Sequence, residues 1–178
     1  MLIERVITLD QSDCCSGSLD KLEAHRLGIA HLAVSVMLRN TNGQVLLQRR
    51  HIGKYHCGGL WANTCCGHPR PGELPSMAAS RRLKEEMGIK ALLHPVGVFR
   101  YRCEVTNELI ENELVHLFVG MYSGCVRPNP SEVDEVLWID PDRLLTVTNF
   151  SEGRKFAPWF NIYCRSRPDF IAGLNVGY

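Results

Sequence analysis

The chain has 178 residues, 20 Lys+Arg against 19 Asp+Glu, and 45% hydrophobic residues. This near-neutral, average globular composition excludes a strongly basic nucleic-acid binder, a polyacidic tail and intrinsic disorder. No apolar run approaches the roughly 18 residues of a membrane span, and the opening MLIERVITLD carries acids where an export signal needs a basic then an apolar stretch. The expectation is therefore a soluble cytoplasmic protein with no membrane and no nucleic-acid partner.

Leu2 to Leu9 reads as a strand, Ser12 to Ser18 as a turn, and Leu19 to Arg26 as a short polar segment of helical character. Two aliphatic, β-branched runs, Ile29 to Leu38 and Gln44 to Gln48, flank Asn42-Gly43 and predict a hairpin. A glycine-containing loop from His51 to Gly59 precedes an apolar stretch, Leu60 to Cys66. The segment Gly67-His68-Pro69-Arg70-Pro71-Gly72 is irregular by virtue of its prolines and glycines. A helix is predicted from Pro75 to the stop at Gly88, with Ala79, Leu83 and Met87 as its buried stripe. Val98 to Val105, Ile110 to Tyr122 and Glu135 to Ile139 read as strands, and Asp140-Pro141 opens a further helix. Phe156, Phe160 and Cys164 place a helical tail against the sheet. One domain over residues 1–178 is expected, of mixed α and β type with several antiparallel pairings and helices covering a sheet. The segments before Leu19 and after Trp159 carry no recognisable chemical motif.

Eight cysteines would imply disulfides in a secreted chain, but no export signal and no C-x-x-C accompany them. Mostly reduced thiols are expected.

The most informative stretch runs from Gly67 through Glu73 to Arg81-Arg82-Leu83-Lys84-Glu85-Glu86-Met87-Gly88-Ile89. Arg82 and Glu86, like Arg81 and Glu85, are one helical turn apart and share a face. An amphipathic helix carrying ion pairs accounts for that spacing alone, but not for its fixed distance to Gly67 and Glu73. The stretch resembles the Nudix box, in which helix carboxylates hold a divalent metal bound to a diphosphate. It departs from the box at Arg82, where the family usually has Glu, and so replaces a metal-binding acid by a phosphate-binding base.

Upstream lies Trp61-Ala62-Asn63-Thr64-Cys65-Cys66-Gly67-His68-Pro69, and downstream Tyr101-Arg102 and Glu111-Asn112-Glu113. In this order they resemble the type 1 isopentenyl diphosphate isomerase family, from about Leu19 to Trp159. The resemblance implies an α/β (α+β) fold with a Nudix-like mixed sheet sandwiched by helices. It implies interconversion of isopentenyl and dimethylallyl diphosphate for isoprenoid biosynthesis, with the isoprenoid diphosphate as the small-molecule partner. Cys66 and Glu113 take the catalytic positions, with Tyr101 near the glutamate and Trp159 facing a carbocation; Cys65 is an incidental neighbour. The resemblance makes His25, His31, His68, Glu111 and Glu113 ligands of a divalent metal. Such a His3Glu2 set suits Mn2+ or Zn2+ better than Mg2+. A second ion, Mg2+, would bridge the diphosphate with Glu86, while Lys21, Arg50, Lys54 and Arg82 bind its oxygens. His51, His56, His94 and His116 receive no role. Two other readings stand beside the isomerase: a Nudix-type diphosphate hydrolase using Glu73, Glu85 and Glu86, and a non-catalytic module stabilised by metal.

Overall fold

The computed structural model describes residues 4–145 and 155–174. The start of the expected first strand, Leu2 and Ile3, lies outside them, as does everything after the first turn of the helix expected at Asp140-Pro141.

Strand β1 (Arg5–Leu9) pairs antiparallel with β2 (Cys15–Asp20), so much of the expected turn is strand. Helix α1 (Lys21–Leu27) follows at once, because the Asp20 carboxylate accepts from the Glu23 amide and caps it. Gly28, at φ 62°, ends the helix in the left-handed region that glycine enters freely. The chain then enters β3 (His31–Arg39), turns at Gly43 with φ 82°, and returns as β4 (Val45–Arg50).

The predicted hairpin exists only at its tip. β3 and β4 are in register at Arg39 and Val45 and then part. β3 instead pairs antiparallel with β6 (Cys65–Gly67) through Val34 to Val36, and parallel with β8 (Ile110–Met121) along its whole length from His31 to Arg39. β4 takes β5 (Trp61–Ala62) and β9 (Val133–Ile139) as antiparallel partners. β7 (Leu93–Glu104) closes the other side on β8. The sheet is therefore mixed, which a local turn signal does not reveal.

Both faces of β3 are covered. Val34, Val36 and Leu38 pack with Ala79, Leu83 and Met87 of α2 (Pro75–Met87). Ala33 and Met37 point the other way, into a core that includes Trp159, Phe160 and Tyr163 of α4 (Pro158–Ser166) and Phe170 of α5 (Pro168–Ile171). Such double burial explains why β3 reads as a continuous apolar run rather than an alternating one. Phe156, expected on the terminal helix, precedes it and bridges to Trp61. The short helix α3 (Asp142–Leu145) begins where Asp140-Pro141 announces it. Among the described residues, no helix is long and apolar enough to cross a membrane.

Candidate functional site

The site follows from the two-residue period of the strands. On β8, Glu111 and Glu113 share a face with the core residues Val115 and Leu117. The parallel register sets His31 opposite Glu113, and the antiparallel one sets Tyr101 and Cys103 opposite Glu113 and Glu111. His25 comes over from α1, and His68 from the loop after β6.

One ligand atom from each of His25, His31, His68, Glu111 and Glu113 lies within 4.8 Å of all the others. His25, His31, Glu111 and Glu113 are buried, Glu113 the most exposed at 7%. Tautomers are set from behind: the Nδ1 of His25 contacts the Lys21 carbonyl at 2.6 Å and that of His31 the Ile29 carbonyl at 2.8 Å. Nδ1–H donates in each case, which turns both Nε2 atoms toward the cluster, where neither makes a well-formed hydrogen bond; the same holds for Glu111 Oε2. Buried nitrogen and oxygen atoms left without a hydrogen bond and converging beside two carboxylates are what a divalent cation satisfies. The five residues form a buried cluster capable of coordinating one.

Hydrogen bonds and charge act within the cluster. Burial pushes the carboxyl of Glu111 up and so does Glu113, but contacts from His25 and His56 outweigh both and hold it at about 2. Burial likewise opposes ionisation of Glu113, and the contact with His31 reverses this to leave a lowered value. His68 is held well below the usual imidazole range by burial and then by the neighbouring His31, so it is neutral, with Nε2 2.9 Å from Glu113 Oε1.

Beside the cluster opens a cleft. Every site residue expected from sequence lines it except His25 and His31, which sit deeper in the cluster. Of the two adjacent cysteines, Cys66 lines the cleft while Cys65 is packed among the α2 side chains. All eight cysteines are free. Cys66 Sγ lies 3.2 Å from Asn63 Oδ1 and 3.3 Å from Ser35 Oγ. Burial pushes its thiol up to about 12, although both hydrogen bonds pull the other way. The protonated thiol is therefore the resting form, a point the sequence leaves open.

The basic residues are already engaged. Arg82 donates to Glu85 at 2.7 Å and to Glu86. Lys54 contacts Glu86 at 3.5 Å and pairs with Glu132. Burial would raise the Glu86 carboxyl, but Lys54 and Arg82 hold it at about 2, and Gln48 donates to it at 2.8 Å. Arg81 grips both oxygens of Glu73, at 2.7 and 2.8 Å, and reaches Glu85 at 3.1 Å. Arg50 stacks on Trp159, 5.2 Å from the ring centroid, and donates to the His56 carbonyl. Lys21 pairs with Glu4 at 3.0 Å and lies over the Tyr55 ring.

Sequence reasoning missed several of these. His56 is buried and contacts Glu111 Oε1 at 2.7 Å. Glu4 and Tyr163 lie in segments that carry no chemical motif, yet Glu4 lines the cleft and Tyr163 bonds Ser35 at 3.0 Å. Asn63 stands within the tryptophan-to-cysteine motif and was legible there; Glu132 and Ser35 carry no signal.

Residues 30–160 match the NUDIX domain family. An isopentenyl-diphosphate Delta-isomerase of Burkholderia multivorans is 45% identical, over 89% of this chain and 89% of that protein. Another, of Pectobacterium atrosepticum, is 39% identical over 96% of this chain and 94% of its own. Among solved structures, DR0079 of Deinococcus radiodurans superposes with a TM-score of 0.74 at 19% identity, covering 91% of this chain and 98% of that one. A MutT protein of Methanosarcina mazei does so with a TM-score of 0.59 at 22% identity, covering 80% and 90%. At those identities the structural likeness concerns the fold.

Proposed function

The chain belongs to the isopentenyl-diphosphate Delta-isomerase family of NUDIX-domain proteins, and from that premise we propose how its cleft moves a double bond. The protein is an isomerase that interconverts isopentenyl and dimethylallyl diphosphate. One observation carries the division of labour: Cys66, Glu113 and a set of basic side chains line the same cleft, against the buried His and Glu cluster.

The reaction needs one proton delivered to the terminal alkene carbon and one removed from the carbon on the other side of the branch. The first transfer forms a C–H bond from the π electrons and leaves a tertiary carbocation. The second returns a C–H electron pair to a new double bond. Cys66 and Glu113 are assigned to these two transfers, with Tyr101 donating to Glu113 Oε2 at 2.6 Å and orienting it. Trp159 offers the cation a ring face with no lone pair to trap it, worth about 2 kcal/mol when desolvated. Lys21, Arg50, Lys54 and Arg82 are assigned to the diphosphate, exchanging their present carboxylate or aromatic partners for phosphate oxygens.

His25, His31, His68, Glu111 and Glu113 would hold Mn2+, Zn2+ or Mg2+, the imidazoles favouring the first two. Glu86 would meet a Mg2+ ion that bridges the diphosphate. When bound, the ions neutralise the buried carboxylates and the diphosphate charge. A hydrolase would need carboxylates free to activate water, whereas Glu73 is held through both oxygens by Arg81, which takes no part in binding the diphosphate.

Proton NMR of isopentenyl diphosphate incubated with the protein and Mg2+ in deuterium oxide tests the reading. Deuterated dimethylallyl diphosphate is expected. Release of phosphate without isomer, or full turnover by Cys66→Ala, would overturn it.

A further inference from the structure

Lys54, Arg82 and Glu86 line the cleft, and a fourth charged side chain, Glu132, joins them from outside its lining residues. The Lys54 ammonium contacts Glu132 Oε2 and lies 3.5 Å from Glu86 Oε1. Arg82 Nη2 contacts that same oxygen of Glu86 and lies 3.5 Å from that same oxygen of Glu132. Two cations and two carboxylate oxygens therefore alternate around a closed ring, each oxygen shared by both cations.

We propose that Glu132 is a positioning residue for the diphosphate: it holds the Lys54 ammonium and the Arg82 guanidinium side by side, so that both meet phosphate oxygens when Glu86 turns to its Mg2+ ion. The inference rests on the assignment of Lys54 and Arg82 to the diphosphate and of Glu86 to the ion.

The backbone of Glu132 is tied to both of the elements that carry its partners. Its amide donates to the Asn129 carbonyl at 2.9 Å, and the Asn129 amide donates to the Glu86 carbonyl at 2.8 Å, which fastens the segment to α2 and so to Arg82. Its carbonyl accepts from the His51 amide at 2.9 Å, and the His51 carbonyl accepts from the Lys54 amide at 3.1 Å, which fastens it to the turn that carries Lys54. The carboxylate is thus set at a fixed place behind the two cations.

Glu86 cannot serve in this way once it holds an ion. Lys54 and Arg82 would then be two like charges on separate segments, one of them on a flexible four-carbon stem, and would repel each other. A carboxylate that stays between them offsets that repulsion and keeps their spacing. It also leaves donors for the ligand, since an ammonium has three N–H groups and a guanidinium five.

Charge alone predicts the opposite effect. An acid beside an anion site repels the anion, so a Glu132 that acted only through its charge would weaken diphosphate binding, and its removal would tighten it. A positioning residue, when removed, loosens it.

Calorimetric titration of inorganic diphosphate, with excess Mg2+, into the metal-loaded protein separates the two. It compares the unmodified chain with Glu132→Gln, which keeps the shape and removes the charge, and Glu132→Asp, which keeps the charge. The side chain is 26% exposed, so neither exchange disturbs the core. Glu132→Gln should weaken binding about tenfold and Glu132→Asp by less. KM for isopentenyl diphosphate should rise by a similar factor in Glu132→Gln, with kcat within about threefold, because Glu132 touches no reacting atom. Unchanged or tighter binding in Glu132→Gln would overturn the proposal, as would a kcat that falls while KM stays, or equal losses in both variants. Failure of the underlying assignment is separately visible in Lys54→Ala. Unchanged diphosphate affinity there would remove Lys54 from the site, whereas weakened affinity there beside unchanged affinity in Glu132→Gln would overturn the role of Glu132 alone.

Discussion

His56 Nε2 sits 2.7 Å from Glu111 Oε1, leaving Oε2 of the same carboxylate facing His25 Nε2 at 3.2 Å. One oxygen is tied to an imidazole outside the cluster, and the other is thereby aimed into it. Burial holds His56 below the usual imidazole range despite the pull of Glu111, so it contributes as a neutral Nε2–H donor. Loss of such a supporting contact weakens metal binding by roughly 10–100-fold. His56→Ala is expected to lose affinity for Mn2+ or Zn2+ in that range, read by competition with a chelating dye, and His56→Gln to recover part of it. Unchanged affinity in His56→Ala would remove His56 from the metal's support.

Metal removal should destabilise the fold. Two buried carboxylates and three histidines converge within 4.8 Å, and only the folded chain presents them together. Saturating metal at about 100 times its dissociation constant adds roughly 2.7 kcal/mol. In a chain of this size that is about 5–10 °C in Tm. Thermal melts with chelator and with added Mn2+ measure the difference, which Glu111→Gln should reduce. Equal melting temperatures would mean that the cluster does not bind the ion tightly.

Gly67 lets Arg82 pass. A Cβ at this position would lie 2.7 Å from Arg82 Cγ and 3.0 Å from its Nε, too close for any side chain unless Arg82 moves. Displacing Arg82 breaks its pairing with Glu86 and takes it from the cleft. Gly67→Ala should therefore raise KM for isopentenyl diphosphate by about tenfold, with overpacking costing roughly 1–3 kcal/mol of stability. Steady-state kinetics and denaturant melts check the two effects; normal KM would show that Arg82 can reach the diphosphate by another course.

The Cys66 thiol, pushed up to about 12 by burial, gives a pH test. Alkylation requires the thiolate, and below the pKa the thiolate fraction grows tenfold per pH unit. At pH 8 that fraction is about 10⁻⁴, so iodoacetamide should modify Cys66 slowly in the metal-free protein, with a rate rising about tenfold per unit up to pH 11. Tandem mass spectrometry separates Cys66 from Cys65. A rate that levels off near pH 8 would show a thiolate stabilised well beyond what the buried site provides.

Much of the site was legible because its chemistry is written at short range. The spacing of Cys66 and His68, the alternation of Glu111 and Glu113 and the one-turn pairing of Arg82 with Glu86 all fix which side chains share a face, and α2 runs from Pro75 to its Gly88 stop as the periodicity predicts. Resemblance of those motifs to a known family then supplied the ligand set, and the structure places its five members together.

The chain by itself therefore determined the helices, most strands and which residue types carry chemistry, since propensity and period act between neighbours. It did not determine who meets whom across the sheet. The parallel pairing of β3 with β8, which sets His31 against Glu113, has no turn signal because its two strands are far apart in sequence. The departure of β4 from β3 admits β6 and sets Cys66 against Ser35, and a hydroxyl 128 residues further on completes that contact. Only burial, which tertiary packing creates, decided that Cys66 rests as a thiol and that His56 supports Glu111.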